Sequence, residues 1–258
     1  MKAFDLLQGL KRNNISRKIA IDEINVGFGI PVGTLYDWYR NKCNPYGRRG
    51  EIIYNSELFY VIGALLGDGC LYNWKTTNYY LILVGDREFT SKYAEMLTRC
   101  TYKRTKAYIN RSKNIWFVRS NNFKLYSLFK KVREDLSYLE QSIKQNDSRS
   151  ALLFIEGFFD AEGCVKIIRE RIRKIPKICL DITNTNFEIL ELVRKLLQEK
   201  LHIEARYSIQ RPDPTKNKKT AYHLRIYRKE YVRGFFENID TVKLKPRKIS
   251  YLRNWLRD

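Results

Sequence analysis

Apolar residues are concentrated in two stretches of the chain that share one pattern. Residues 59–71 read FYVIGALLGDGCL and residues 153–165 read LFIEGFFDAEGCV, so the second copy lies 94 residues after the first. Each copy is predicted to form a buried helix that ends at an acid and a glycine and then continues into a strand. A repeat at a fixed offset indicates two structural units of the same design.

The pattern that follows each copy is also repeated. A polar and basic hairpin region comes first, then an amphipathic helix, a second hairpin with alternating apolar and polar positions, and a final helix. The predicted order is αββαββα twice, in an α+β fold with two pseudo-symmetric half-domains and antiparallel sheets. Residues 141–150 (QSIKQNDSRS) are polar and predict a linker, which places the half-domains at residues 51–147 and 148–258.

The charge of the chain indicates a polyanionic partner. Lysine and arginine number 49 against 28 aspartate and glutamate residues, and the formal charge of +21 is distributed along the chain. That distribution suits a long contact with the phosphates of duplex DNA or RNA. The longest apolar run is about half as long as a membrane span needs, so no membrane partner is predicted. Five cysteines without a C-x-x-C spacing and an N-terminus without a secretory pattern predict a cytoplasmic protein, with an organelle as the alternative.

Both repeats end in an acid, Asp68 in the first copy and Glu162 in the second. An acid in the last turn of a helix opposes the partial negative charge there and costs up to about 1 kcal/mol. The glycine after each acid predicts a left-handed helix stop. For either acid alone, an ordinary helix-to-strand turn is the alternative explanation.

A stripe of small residues at spacing i, i+4 precedes both acids, formed by Gly63 and Gly67 and by Gly157 and Ala161. The stripe predicts that the two helices pack closely enough to bring the carboxylates together. Adjacent carboxylates favour a hard divalent cation such as Mg²⁺, because the cation offsets their repulsion. Such a site is suited to phosphodiester hydrolysis. The alternative is a glycine-rich core with solvated acids.

The segments VIGALLGDG (61–69) and IEGFFDAEG (155–163) resemble the two copies of the LAGLIDADG motif of homing endonucleases. The resemblance implies that the motif helices form the interface between the half-domains and that the two sheets form a DNA-binding saddle. It also implies that the eighth motif residues, Asp68 and Glu162, bind Mg²⁺ or another divalent cation such as Mn²⁺ or Ca²⁺. The seventh residues, Gly67 and Ala161, would lie beside the metal.

One motif position departs from the family pattern. The sixth residue is Leu66 in the first copy, whereas the second copy keeps an acid there, Asp160. Since two motifs lie in one chain, the resemblance implies a functional monomer that cuts both strands of a long, asymmetric target.

Further active-site groups are implied by the resemblance. In the family, a polar residue at the end of the second strand helps to order active-site water, and Asp86 and Asn184 take that place here. A basic residue near the end of each half-domain assists the nucleophile or stabilises charge, and the candidates are Lys245, Lys248 and Lys144. For each lysine, a solvated or phosphate-contacting side chain is the alternative.

Strand residues that point away from the core are the candidates for contact with DNA. Arginine and lysine favour guanine and phosphate, whereas glutamine and asparagine favour adenine. The halves differ strongly outside the motif, so the two sheets are predicted to read different half-sites. The candidates are Lys166, Lys177, Arg206, Gln210, His223 and Arg225 in the second half and Lys106, Asn110 and Arg119 in the first.

Residues 1–50 lie outside the repeat and are predicted to form a helical extension with a basic linker. Helical spacing over residues 15–24 is broken by the sequence NVGFGIP, and residues 32–41 form a second predicted helix with Leu35 and Trp38 inward. This arrangement resembles a helix-turn-helix, which would project Arg40 toward DNA. The alternative is an extension that packs on the rest of the protein.

Homing endonuclease is the function that the sequence favours, and two alternatives remain with the same fold. One is a maturase that binds its own intron RNA, and the other is a DNA-binding regulator that does not cleave. The presence of only two histidines disfavours nuclease classes built on histidine clusters.

Overall fold

The computed structural model describes residues 2–45, 50–74, 78–169, 176–211 and 220–257. Three helices come first, α1 (Lys2–Arg12), α2 (Arg17–Phe28) and α3 (Val32–Tyr39). They enclose a small core of their own, in which Leu35 and Trp38 are buried as predicted. The helix α1 was not predicted, and α2 extends beyond the predicted break at residue 25 to a left-handed Gly29.

The repeated order αββαββα is confirmed, and each half ends in one additional helix. The first half comprises α4 (Ser56–Asp68), β1 (Gly69–Trp74), β2 (Asn78–Gly85), α5 (Arg87–Thr101), β3 (Tyr108–Asn110), β4 (Ile115–Ser120), α6 (Phe123–Glu134) and α7 (Leu136–Lys144). The second half comprises α8 (Ser148–Glu162), β5 (Gly163–Ile168), β6 (Lys177–Asn184), α9 (Phe187–Leu201), β7 (Arg206–Gln210), β8 (Ala221–Ile226), α10 (Lys229–Asn238) and α11 (Pro246–Arg257).

Both sheets have the same topology. The strand order is β1-β2-β4-β3 in the first sheet and β5-β6-β8-β7 in the second, and every pairing is antiparallel. One face of each sheet packs on helices, as the buried side chains of Leu83, Val118, Leu180 and Leu224 show. The opposite face, which we call the outer face, carries the alternate residues of each strand.

Helices α4 and α8 lie side by side and form the interface between the halves. They begin together, where the Ser56 hydroxyl donates to the Asp147 cap of α8 at 3.2 Å. At the middle of the interface, a Cβ added to Gly157 would lie 2.1 Å from the Tyr60 carbonyl oxygen, and one added to Gly63 would lie 2.4 Å from the Phe154 carbonyl oxygen. The predicted close approach of the two helices is therefore present.

Two expectations from the sequence were wrong. Residues 141–150 are not irregular throughout, because α7 continues to Lys144 and Asp147 already caps α8, which leaves residues 145–147 as the connection between the halves. The glycines after the acids are also not left-handed stops, since Gly69 has φ −87° and Gly163 has φ −82°. Space is what requires glycine there, because an added Cβ would lie 2.3 Å from the Leu65 carbonyl oxygen at Gly69.

Among the residues placed by the structure, no helix combines the length and the apolar character needed to cross a bilayer.

Candidate functional site

Asp68 and Glu162 are the last residues of the two interface helices, at the point where each helix continues into the first strand of its sheet. The helices are still in close contact at this end, because a Cβ added to Gly67 would lie 2.5 Å from the Ala161 Cβ and 2.8 Å from the Glu162 Cγ. The parallel packing of α4 and α8 thus brings the two acids together between the sheets, as the small-residue stripe predicts.

The surroundings of the two carboxyls disfavour their charged forms. Burial, followed by the neighbouring Asp68 charge, raises the pKa of Glu162 to about 7. Desolvation also raises the pKa of Asp68, although its side chain remains accessible to solvent. Two neighbouring acids whose pKa values are raised by burial, and in Glu162 also by the charge of the other acid, form a site that would gain from a bound cation.

The raised pKa of Glu162 predicts how stability depends on pH in the absence of metal. Between about pH 4.5 and 7 the folded protein holds a proton on Glu162 that the unfolded chain has released, so the free energy of unfolding falls as pH rises. We expect a fall of about 1 to 2 kcal/mol from this residue, after allowance for its solvent-exposed part. Urea unfolding in EDTA at several pH values measures it.

The matched control for this prediction is Glu162→Gln, which cannot titrate. The difference between the wild-type and Glu162→Gln profiles isolates the residue from other buried acids such as Asp160, whose pKa burial also raises. Parallel profiles for the two proteins would contradict the prediction.

Lys243 faces both acids and was not predicted from the sequence. Its positive charge opposes the rise in the pKa of Asp68 and of Glu162, and its ammonium donates to the Ala161 carbonyl oxygen at 3.2 Å. It lies two residues from the predicted Lys245 in the run KLKPRK, where spacing alone does not indicate which lysine reaches the acids. The Ala161 carbonyl oxygen, which the sequence predicts to lie beside the metal, therefore accepts a hydrogen bond from the Lys243 ammonium.

The segment that carries Lys243 is held by the sixth motif residue of the second copy. Asp160 is fully buried, and its Oδ1 accepts from the Thr241 hydroxyl at 2.5 Å and from the Val242 amide at 3.0 Å. Its Oδ2 accepts from the Tyr60 hydroxyl of the other half at 2.8 Å. Lys92 compensates the buried charge at 3.4 Å. At the equivalent position of the first copy, Leu66 has no charge for such an arrangement.

Asn184 reaches the site, and its side-chain amide donates to Glu162 Oε1 at 3.0 Å. Asp86 does not occupy the equivalent position. The sheet pairs Leu83 with Gly69 and Ile182 with Gly163, so the counterpart of Asn184 at the end of β2 is Gly85.

Asp86 is instead the N-cap of α5, where it accepts from the Phe89 amide at 2.9 Å and lies 3.4 Å from the Lys245 ammonium. Burial alone would raise the pKa of Asp86, but the Phe89 hydrogen bond and the Lys245 charge lower it. Its role as an orienting group for active-site water stays a prediction.

The three lysines nominated by the sequence lie in different environments. Lys245 pairs with Asp86 and Glu88, close to the site, and Lys248 lies in the first turn of α11. The prediction for Lys144 was wrong. This exposed residue pairs with Glu140 at 2.9 Å and ends α7, just before the start of α8. The 15 residues of α8 separate that end from Glu162 by about 20 Å.

The predicted DNA-facing residues of the strands lie on the outer faces of the two sheets, as the alternation requires. Asn110 is engaged in its own hairpin, since its side-chain oxygen accepts from the Ser112 hydroxyl at 2.7 Å. Lys106 precedes β3, and Arg40 caps the end of α3. The remaining candidates are Arg119 in the first sheet and Lys166, Lys177, Arg206, Gln210, His223 and Arg225 in the second.

In the part of the chain that the structure describes, no group of three or more histidine, cysteine or acidic residues could hold a metal. Asp68 and Glu162 could supply two carboxylate ligands, a set that would suit Mg²⁺ or Mn²⁺ if water and a substrate phosphate completed the coordination. The raised pKa values of both carboxyls fit such a site, since a bound cation would favour their charged forms.

One family model matches most of the second half of the chain. Residues 150–240 match the family model described as a LAGLIDADG-like domain. An uncharacterized protein of Methanocaldococcus jannaschii is 28% identical over 261 residues, which cover 95% of this chain and 89% of the relative.

The fold of the chain is similar to that of I-DmoI. A crystal structure of I-DmoI in complex with DNA and Ca has a TM-score of 0.52 and 20% sequence identity, with 76% of this chain and 97% of that chain covered. A structure of mesophilic variants from the homing endonuclease I-DmoI has a TM-score of 0.51 and 21% identity, with 72% of this chain and 96% of that chain covered. At these identities, the similarity shows that the fold is shared.

Proposed function

We propose that this protein is a site-specific endonuclease that cleaves both strands of duplex DNA. Its second half matches a LAGLIDADG-like domain, and its fold is shared with I-DmoI. One observation carries the proposal. Asp68 and Glu162 end the two interface helices side by side, between two sheets, with Lys243 facing both. A structural role does not require paired acids whose charges are disfavoured in the folded state.

We propose that Asp68 and Glu162 hold divalent cations, with the backbone at Gly67 and Ala161 beside them. A bound Mg²⁺ or Mn²⁺ would supply charge stabilisation at the scissile phosphates and activate water for their hydrolysis. Asn184 holds the Glu162 carboxylate in place through its hydrogen bond. Lys243 places a fixed positive charge next to the position of the phosphate, where negative charge increases in the transition state.

A single polypeptide provides both halves of this site, so we propose that the protein acts as a monomer on a long, asymmetric target. The formal charge of +21 favours binding to the DNA backbone. A non-cleaving DNA-binding regulator is the second candidate, because α1, α2 and α3 form a separate core that could hold a DNA-binding unit. The cleavage assay below separates the two.

The test is recovery of a cleavable site from a DNA library that contains long random duplexes. The full chain is incubated with the library in Mg²⁺, and the cut ends are captured and sequenced. We expect one family of related sites, cut on both strands, and no cut ends in EDTA. Binding that enriches a specific sequence without any cleavage in Mg²⁺ or Mn²⁺ would refute the endonuclease and favour the regulator.

Lys243→Met is expected to slow cleavage of the recovered site by roughly 10²- to 10³-fold, the usual effect of removing one fixed charge-stabilising group. Lys245→Met, two residues away, is the matched control. We expect a smaller loss from it, because Lys245 is paired with Asp86 and Glu88 rather than with the two motif acids. Single-turnover rates at saturating protein measure both, and a larger loss from Lys245→Met would contradict the assignment.

A further inference from the structure

The two outer faces differ in chemistry. We propose that the first sheet recognises a half-site through thymine methyl groups, whereas the second sheet recognises a half-site through guanine. This inference rests on the proposed DNA-binding function and adds the base composition of the target. We use the names first outer face for residues Tyr72, Tyr80, Val84, Tyr108, Phe117 and Arg119, and second outer face for residues Lys166, Lys177, Asp181, Arg206, His223 and Arg225.

The first outer face is mainly apolar and aromatic. Cross-strand register places Val84 opposite Phe117, Phe117 opposite Tyr108, and Tyr72 opposite Tyr80. Tyr108 is 55% exposed and Val84 is 41% exposed, although sheet residues of this kind are usually covered. Arg119 is the charged residue among the outward strand positions of this sheet that the structure describes, and its guanidinium stacks on Tyr80 at 4.9 Å.

Charge at the edge of this face indicates that it meets a polyanion rather than another protein's apolar surface. A cavity of about 580 Å³ has Tyr80, Tyr108 and Phe117 in its lining together with Lys103, Arg104 and other basic residues. The basic side chains suit phosphates, and the aromatic floor suits the apolar edge of bases. Thymine presents a methyl group in the major groove, and apolar side chains recognise it.

The second outer face is built from charged and hydrogen-bonding groups. Lys166, Lys177, Arg206 and Arg225 lie on neighbouring strands, and the register places Arg206 opposite Arg225. Arginine and lysine donate to the O6 and N7 atoms of guanine, which is the commonest specific contact in the major groove.

A buried carboxylate holds Lys166 and Arg225, two of the four lysine and arginine side chains of this face, together with His223. Asp181 is 1% exposed, and it pairs with Lys166, with His223 Nδ1 at 3.1 Å and with Arg225 Nε at 3.4 Å. Burial alone would raise the pKa of Asp181, but the hydrogen bonds from Lys166 and His223 lower it.

An acid in this position would repel phosphates if it were exposed, and it is too buried to contact a base. Asp181 instead lies beneath Lys166 and Arg225 and restricts their rotamers. Restricted rotamers favour a defined bidentate geometry over diffuse contact with phosphate.

The experiment uses the recovered target and two conservative base analogues. Uracil in place of thymine removes only the methyl group, and 7-deazaguanine in place of guanine removes only the N7 acceptor. Each analogue is introduced into one half-site at a time, and the dissociation constant of the full chain is measured with Ca²⁺ in the buffer.

Crosslinking shows which half-site lies under which sheet. The exposed Cys70 and Cys164 take equivalent positions at the starts of β1 and β5, so a photoactivated group on one of them marks its own sheet. The other exposed thiol and Cys43 are changed to serine in each preparation.

We expect uracil under the first sheet to weaken binding by roughly three- to fourfold for each contacted methyl, and uracil under the second sheet to have no effect. We expect 7-deazaguanine to weaken binding by roughly fivefold or more under the second sheet only. Equal responses of the two half-sites, or the reverse pattern, would overturn the inference while leaving the endonuclease intact. Failure to bind any duplex would refute the proposed function itself.

Two protein variants connect the pattern to the named residues. Phe117→Ala is expected to remove most of the uracil effect under the first sheet, and Asp181→Asn is expected to reduce the 7-deazaguanine effect under the second. Both results are ratios of two dissociation constants for one protein preparation, so a partly unfolded sample does not change them. Unaltered ratios in both variants would show that other residues read the bases.

Discussion

Asp68→Asn and Glu162→Gln are each expected to lower the rate of DNA cleavage by roughly 10³-fold or more while leaving specific DNA binding in place. Each substitution keeps the size of the side chain and removes one of the two carboxylates that we propose as metal ligands, and the described residues offer no larger group of acids. Metal-dependent stabilisation of the transition state is worth several kcal/mol, and each 1.36 kcal/mol corresponds to about a tenfold change in rate. Single-turnover cleavage in Mg²⁺ measures the loss.

Binding should respond in the opposite direction from cleavage. Because Asp68 and Glu162 bring negative charge close to the phosphates, their neutralisation should preserve or tighten DNA binding in EDTA. Glu199→Gln is the matched control, since Glu199 is an exposed acid in the last turn of α9. The control should cleave at the wild-type rate. Cleavage by either motif variant at the wild-type rate would rule out the proposed chemistry.

Sequence reasoning located the motif acids because their evidence is local and repeated. The run of apolar residues, the small-residue stripe and the terminal acid all lie within one helix of each copy, and the repeat supplies each twice. The glycines of the stripe indicated a close helix contact, which the structure confirms at Gly63 and Gly157. The fold followed for the same reason, since its periodic pattern occurs in both halves.

The remainder of the site depends on contacts between residues far apart in the chain. Lys243 reaches the acids because Asp160, about 80 positions earlier, accepts hydrogen bonds from the Thr241 hydroxyl and the Val242 amide just before it. Nothing in the KLKPRK run distinguishes it from Lys245. Asp86 was wrongly paired with Asn184 because the two halves differ at the end of the second strand. In the first half the helix cap Asp86 directly follows the strand end Gly85, whereas in the second half one residue separates the strand end Asn184 from the cap Asn186. Only the strand register reveals that difference.

Gly157→Ala is expected to destabilise the protein by about 3 kcal/mol or more, although alanine is the better helix former. The added methyl would lie 2.1 Å from the Tyr60 carbonyl oxygen and 2.9 Å from the adjoining carbonyl carbon, so relief requires the two helix backbones to separate. Overpacking of a tight interface costs about 1 to 3 kcal/mol and sometimes more, which outweighs a gain in helix propensity of about 1 kcal/mol. Urea unfolding measures the change.

The matched control for the interface is Gly234→Ala in the middle of α10, where an added Cβ has no neighbour within 4 Å. The same substitution should stabilise the protein there by about 0.5 to 1 kcal/mol, because only the helix propensity changes. Separation of the helices should also move Asp68 away from Glu162, so residual folded Gly157→Ala is expected to cleave slowly. Stabilisation by both substitutions would mean that the interface tolerates a wider spacing, and the paired-acid geometry would then lose its structural basis.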